Sequence, residues 1–288
     1  MTRYRTAIDL RRALETRLKQ QSERENSDLG RLRRRVVFDR VAVRLSAADG
    51  AQWVLKGGAV LEFRLRERAR ATKDLDLALT NGAADGLAVR ELLLEALAED
   101  LDGDWFSFRV QPPVPLATDT AGRGAWRFSV EAWLAGKMFA AIRLDVAARG
   151  EELAVTEQLR LPGLLDFADI PARSIEAVEP RQHFAEKLHA LTRDYGDRPN
   201  TRVKDLVDLV LLIENGLQAN RALVDVVRHL FTVRGTHPFP VTVPDPPPRW
   251  DSQYPESAHR LTETADTLPT ALKLLRDFWG DALDDATG

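Results

Sequence analysis

The sequence predicts an α+β chain: a mixed sheet flanked by helices, followed by a helical C-terminal domain. Three observations lead there. Residues 72–79 alternate at the period of a strand, and the runs 105–110, 125–133 and 139–146 read as further strands. Residues 8–22, 29–46 and 86–99 instead repeat apolar side chains at helical spacing. Beyond about residue 180 the strand signals fade and helical periodicity takes over. The expected division is a sheet domain with N-terminal helices over 1–170 and a mainly helical domain over 171–288.

In order along the chain, two helices come first, the second carried by Val37, Val41 and Leu45. Trp53-Val54-Leu55 reads as a short buried strand that runs into Gly57-Gly58, with a helix from Ala59. The strand at 72–79 follows, then a helix over 86–99 with Leu87, Leu93, Leu94 and Leu97 as its apolar set. Residues 111–124, with three prolines and two glycines, separate the next strands as a loop. Residues 150–180 read as a connector broken by Pro162, Pro171 and Pro180. A helical hairpin over 181–194 and 202–214 follows, with Thr201 as expected N-cap and Gly216 as stop. The proline-rich stretch 235–257 is expected to be irregular, and a last helix is expected over about 258–284.

Composition narrows the class. With 44% hydrophobic and 30% charged residues, the 288-residue chain has the make-up of a globular protein. No run approaches the ~18 apolar residues of a membrane span. The opening Met-Thr-Arg-Tyr-Arg-Thr lacks the apolar core of a signal peptide, and there are no cysteines for disulfides or thiolate chemistry. A cytoplasmic location with no membrane contact is the expectation. The net charge of −3 hides an asymmetry: residues 1–50 carry +6 and residues 251–288 carry −5. The run Arg31-Leu32-Arg33-Arg34-Arg35 is either a solvated helix face or, taken as a group, a basic ledge for a phosphodiester backbone.

The chemistry concentrates in one stretch. Alternation puts Asp74 and Asp76 on one strand face and Leu75, Leu77 and Leu79 on the other. Two carboxylates side by side repel unless a cation lies between them, and paired Mg²⁺ ions need carboxylates at such spacing. The alternative is pairing with Arg64, Arg66, Arg68 or Arg70. Gly57-Gly58 at a strand-to-helix turn exposes backbone N–H groups that can hold a phosphate, although such a pair often makes only a turn. Asp145, between Leu144 and Val146 on a later strand, is the candidate third carboxylate, or else a solvated strand-end residue. Lys187 borders the apolar face of its helix, where it either reaches a negative ligand or pairs with Asp205 across the hairpin. Phosphate cradle followed by metal carboxylates is the order of parts in a nucleotidyltransferase.

Four motifs stand in order over about 50–215: Lys56-Gly57-Gly58, then Thr72-Lys73-Asp74-Leu75-Asp76, then Asp145, then Ala185–Leu191 with Lys204-Asp205-Leu206-Val207-Asp208-Leu209. In these the chain resembles the AbiEii/AbiGii toxin family of DNA polymerase beta-like nucleotidyltransferases, with which the mycobacterial MenT toxins belong. The resemblance implies a nucleotidyltransferase-fold sheet and a helical domain completing the active-site cleft. It implies NTP as substrate, with Lys56, Gly57, Gly58 and Thr72 around its phosphates and Asp74, Asp76 and Asp145 on Mg²⁺ or Mn²⁺. Lys187 and Asp205 take the places of the later functional Lys and Asp. It further implies a cognate antitoxin protein and the 3′ end of tRNA as acceptor, with modification of Thr72 as a means of switching the enzyme off. Gly58 stands where many nucleotidyltransferases carry Ser, and 15 positions separate it from Asp74; the toxin family shares both habits.

Two rivals remain: an enzyme modifying a small hydroxylated molecule, as aminoglycoside nucleotidyltransferases do, and a catalytically silent nucleotide- or partner-binding module. The five histidines show no His-Glu-x-x-His spacing, and no Gly-x-Ser-x-Gly nucleophile turn occurs. The sequence does not fix the oligomeric state.

Overall fold

The computed structural model describes residues 3–48, 52–81, 85–116 and 124–288. The chain gathers into two compact units, each discontinuous in sequence. The first takes in Met1–Phe63, Ala71–Gly150 and Gln158–Ala177, and the second takes in Arg64–Arg70, Glu151–Glu157 and Val178–Gly288.

The first unit is built on a mixed sheet. Its strands are β1 (Trp53–Lys56), β2 (Asp74–Leu79), β3 (Ser107–Val110), β4 (Val114–Pro115), β5 (Ala125–Leu134), β6 (Lys137–Ala147), β7 (Thr156–Arg160) and β8 (Ser174–Val178). They lie in the order β3-β5-β6-β2-β1-β8-β7, with β4 on β5. The β1–β2, β3–β5 and β5–β6 pairs are antiparallel; β2–β6 and β1–β8 are parallel. Its helices begin with α1 (Ala7–Glu25), capped by Thr6, whose hydroxyl accepts from the Asp9 N–H, and α2 (Leu29–Ala47), capped by Asp28. From Arg35 to Leu45 every residue of α2 is buried, because it packs on β1, β6 and α4 (Gly86–Ala98). Helix α3 (Gly57–Leu65) follows β1 directly.

The second unit is helical: α5 (Pro180–Thr192), α6 (Val203–Glu214), α7 (Arg221–Arg234), α8 (Trp250–Ala258) and α9 (Leu268–Thr287). Helix α5 packs on α6 and α7, and α9 packs on α6, α7 and α8. Trp250, Tyr254 and Trp279 are wholly buried among them. None of the helices among the described residues is long and apolar enough to cross a membrane.

The differences from the sequence expectation have physical causes. The expected connector 150–180 contains β7 and β8, which extend the sheet beyond β1; both are only five residues long, too short for their alternation to stand out. The proline-rich stretch is not irregular throughout. Helix α8 forms inside it because Trp250 and Tyr254 have a core to enter, and Pro255 is tolerated in a nine-residue helix. The last helix begins ten residues late, at the Thr267 capping box followed by Pro269. Helix α6 starts after Arg202 rather than Thr201, with Asn200 accepting the Arg202 N–H. The expected loop 111–124 contains β4, and residues 117–123 lie outside the described residues.

Candidate active site

The site begins where β1 turns into α3. Gly57 has φ +65°, a conformation that L side chains rarely adopt. It also faces the carboxylate of Asp76: a Cβ at Gly57 would lie 1.9 Å from Asp76 Oδ2. The missing side chain is what lets the turn and the carboxylate touch. We expect Gly57→Ala to keep the sheet folded but to push Asp76 aside by about 1 Å, a displacement on the scale that costs up to ~10²-fold in rate. Turnover within twofold of wild type, measured beside an unchanged circular dichroism spectrum, would refute that close approach.

Strand register then aligns four charged residues in a row. Lys56 on β1 is opposite Asp76 on β2, Asp76 is beside Asp145 on β6, and Asp145 is opposite Arg127 on β5. Residues in register share a sheet face with Cα atoms about 5 Å apart, so the row reads cation, carboxylate, carboxylate, cation. Two residues along β2, Asp74 is in register with Arg143. Leu75 and Leu77, on the opposite face, are buried. The expected division of β2 into a carboxylate face and a leucine face is therefore present.

The protein answers the crowding of negative charge with guanidinium groups. Arg127 donates to both oxygens of Asp145, at 2.8 and 2.6 Å, and Arg143 pairs with Asp74. The hydrogen bond to Asp145 outweighs desolvation and holds the Arg127 pKa above its ordinary value, with Asp74 and Asp76 adding to the field. Neither arginine was singled out from the sequence. Arg143-Leu144-Asp145 has the two-residue spacing that signals a shared face, but Arg127 is 18 residues away and only register brings it in. The arginines offered as partners from sequence lie elsewhere: Arg70 and Arg68 pair with Asp208 and Glu214, and Arg64 with Glu157.

Thr72 precedes β2 rather than lying in it, and its side chain is buried. Its hydroxyl donates to the Asp74 carbonyl at 3.1 Å and sits 3.5 Å from the Asp74 N–H, so it fixes the backbone that presents Asp74. Counting two residues back from Asp74 along an extended chain, the sequence expects Thr72 on the same strand face as the carboxylates; the strand itself begins only at Asp74. A phosphate on this hydroxyl would first require the buried Thr72 side chain to swing out. Lys56 is buried, and Gly58 lies in the first turn of α3, also buried.

In the second unit, Lys187 is clamped by two carboxylates. Its ammonium lies 2.9 Å from Asp205 and 2.8 Å from Asp208, and Asp208 in turn takes two 2.7 Å bonds from Arg70. Burial alone would push the Lys187 pKa down, but Asp208 and then Asp205 hold it above its ordinary value. The salt bridge considered from the sequence thus forms, with Asp208 as a second and fully buried partner. The signal for Asp208 in the sequence is its place three residues after Asp205, one helical turn on.

The arginine run of α2 does not form a free ledge. Arg31 and Arg35 pair with the buried Glu62, Arg33 with Glu15, and Arg34 with Asp28. Two of the five histidines turn inward, His183 and His189, whereas His229 and His259 are exposed. His183 is completely buried, and desolvation lowers the pKa of His189 to about 2.

The model of the nucleotidyl transferase AbiEii toxin family, a type IV toxin–antitoxin system, matches residues 41–285. The chain belongs to the AbiEii nucleotidyltransferase toxin family. The family resemblance read from the four motifs is thereby shown; membership of this nucleotidyltransferase toxin–antitoxin family implies an NTP substrate and an antitoxin partner. JHP933 from Helicobacter pylori is similar at 15% identity over 86% of this chain and 85% of that one, with a TM-score of 0.38. An antigenic nucleotidyltransferase-like protein from Paracoccidioides brasiliensis is similar at 14% identity over 70% and 88%, with a TM-score of 0.39. No curated protein matches the chain.

A divalent metal is usual in this family, and the donor set of the sheet fits one in kind. Asp74, Asp76 and Asp145 are hard oxygen donors on one face, two of them in register on adjacent strands, and the charge that needs a cation is already visible in the arginines drawn to it. Among the described residues no three acidic or histidine side chains stand gathered as a ligand set. A metal would displace Arg127 and Arg143, whose side chains are 36% and 47% exposed and so have room to turn away.

Proposed function

We propose that this AbiEii-family chain transfers a nucleoside monophosphate from an NTP to a hydroxyl acceptor, the 3′ end of a tRNA, by a two-metal mechanism. The observation that supports this most is the contact of the left-handed Gly57 turn with Asp76, itself in register with Asp145. Asp74, Asp76 and Asp145 would hold Mg²⁺ or Mn²⁺. When bound, the metal lowers the pKa of the acceptor hydroxyl and neutralises charge on the departing pyrophosphate. The backbone of Gly57 and Gly58 presents N–H groups to the nucleotide phosphates, and no side chain at Gly57 blocks their approach. Lys56, in register with Asp76, supplies positive charge beside them. Thr72 holds the Asp74 backbone in place. In the second unit Lys187 is the candidate phosphate contact, with Asp205 orienting its ammonium.

The test is incubation with each radiolabelled NTP, Mg²⁺ and total tRNA. Label is expected to enter RNA from one or a few NTPs and to be lost when tRNA carries a 3′-deoxy end. Label that moves instead into a nuclease-resistant small molecule would favour the small-acceptor rival. No transfer from any NTP to tRNA or to small hydroxylated acceptors, with an intact fold, would favour the silent binding module.

A further inference from the structure

The first unit carries a basic surface, apart from Asp74, Asp76 and Asp145, at the start of the chain and on the N-terminal helix. A groove of about 830 Å³ is lined by Arg3, Arg5, Arg12 and Arg17 together with Tyr4 and the single acidic residue Asp9. All four arginines are exposed. Among the described residues no carboxylate forms a salt bridge with them, in contrast to the paired run Arg31–Arg35. The Arg17 guanidinium lies 4.3 Å from the centre of the Phe167 ring, and Tyr4 meets the same ring edge-on at 6.1 Å. The Arg3 N–H binds the Ala168 carbonyl at 2.9 Å, which fixes the start of the chain against that aromatic corner.

We infer that this groove docks the body of a polyanionic RNA acceptor, with the arginines on its phosphates and Phe167 and Tyr4 beside unpaired bases; the inference rests on the RNA-acceptor reading above. Position supports a long ligand. Arg11, next to Arg12 on α1, grips the carbonyls of Leu134, Lys137 and Met138 at the β5–β6 turn. Asp145 lies eight residues further along β6 from Lys137, about 26 Å at the rise of a strand. A small acceptor or a nucleotide cannot reach both places, whereas an RNA fold can. The chemistry supports nucleic acid over an acidic protein: guanidinium groups spaced along a groove and backed by aromatic rings offer phosphate contacts and stacking platforms together.

The test measures binding of fluorescein-labelled total tRNA to the full chain, and the KM for tRNA in the transfer reaction. Reversing Arg5, Arg12 and Arg17 to Glu is expected to weaken binding by roughly 10–100-fold near 0.1 M salt and to flatten the salt dependence, about 0.7–0.9 log units of slope per lost phosphate contact. KM should rise in parallel. Replacing the same three with Lys is expected to retain binding within about fivefold, and Arg24→Glu, outside the groove, within about twofold. Wild-type affinity in the Glu variant, an equal loss in the Lys variant, or a fall in kcat with unchanged Kd would overturn the groove assignment while leaving transfer to RNA standing. A wild-type chain that neither binds nor labels RNA would instead overturn the RNA-acceptor reading itself.

Discussion

Replacing Asp76 with alanine is expected to abolish nucleotide transfer, by at least ~10²-fold, without unfolding the sheet. That is the scale of losing one preorganised electrostatic group at a reacting centre. Asp76 is the carboxylate that touches the Gly57 turn and the one flanked in register by both Lys56 and Asp145, so no other residue of the row can take its place. It is only half-buried at the strand face, and β2 is held by its leucines on the other side. Asp76→Asn is the stricter variant, because it fills the same space against Gly57 and removes only the charge. Both should be equally inactive, with melting temperatures within a few degrees of wild type. Near-wild-type turnover in the Asn variant would remove Asp76, and the two-metal assignment with it, from the chemistry.

Asp208→Ala is expected to be the most destabilising single change in the second unit. Asp208 is completely buried and accepts from both Lys187 and Arg70, at 2.8 Å and 2.7 Å. Its removal breaks a buried pair and takes one carboxylate from each of two cations, which costs up to about 3–5 kcal/mol. For a chain of this size that corresponds to a fall in Tm on the order of 10 °C. The acid limb of stability gives an independent reading. Burial would push the Asp208 carboxyl up, but Lys187 and Arg70 hold it below its ordinary value. A carboxyl whose folded pKa is depressed contributes stability that is present above the unfolded pKa, ~3.9, and is lost as pH falls through the folded value. Wild type should therefore lose stability below about pH 4, and Asp208→Asn should show a flatter acid limb. A Tm for Asp208→Ala within 2 °C of wild type would mean that Lys187 and Arg70 find other partners. Comparing Asp205→Ala with Asp208→Ala then separates the hairpin clamp from any role of Lys187 on phosphate. Only the first of these two carboxylates keeps a little exposure, so its loss should cost less stability.

Local pattern carried much of this protein. Alternation alone placed Asp74 and Asp76 opposite a leucine face, because side-chain direction along a strand depends only on the parity of the residue number. Helical spacing located α1, α2, α4 and the α5–α6 hairpin, and Gly57-Gly58 marked a turn because glycine tolerates positive φ at no steric cost. Four motifs in fixed order were enough to point to the family. What they could not show was which residues meet. The pairing of Asp76 with Asp145, and of Asp145 with Arg127, depends on sheet order and register, to which a strand's own residues contribute little. The same holds for Arg70 reaching Asp208 across 138 residues, for β7 and β8 joining the sheet, and for α8 forming among prolines. It holds equally for the arginines. By sequence, Arg31–Arg35 was the conspicuous basic run, yet its arginines pair with Glu62, Glu15 and Asp28, while the scattered Arg3, Arg5, Arg12 and Arg17 line one groove with no salt-bridged carboxylate among the described residues. Sequence determines which charges exist and which way each points along its own element. Only tertiary structure decides which of them are cancelled, since the partners that cancel charge, and the burial that makes the cancellation strong, come from segments far away in the chain.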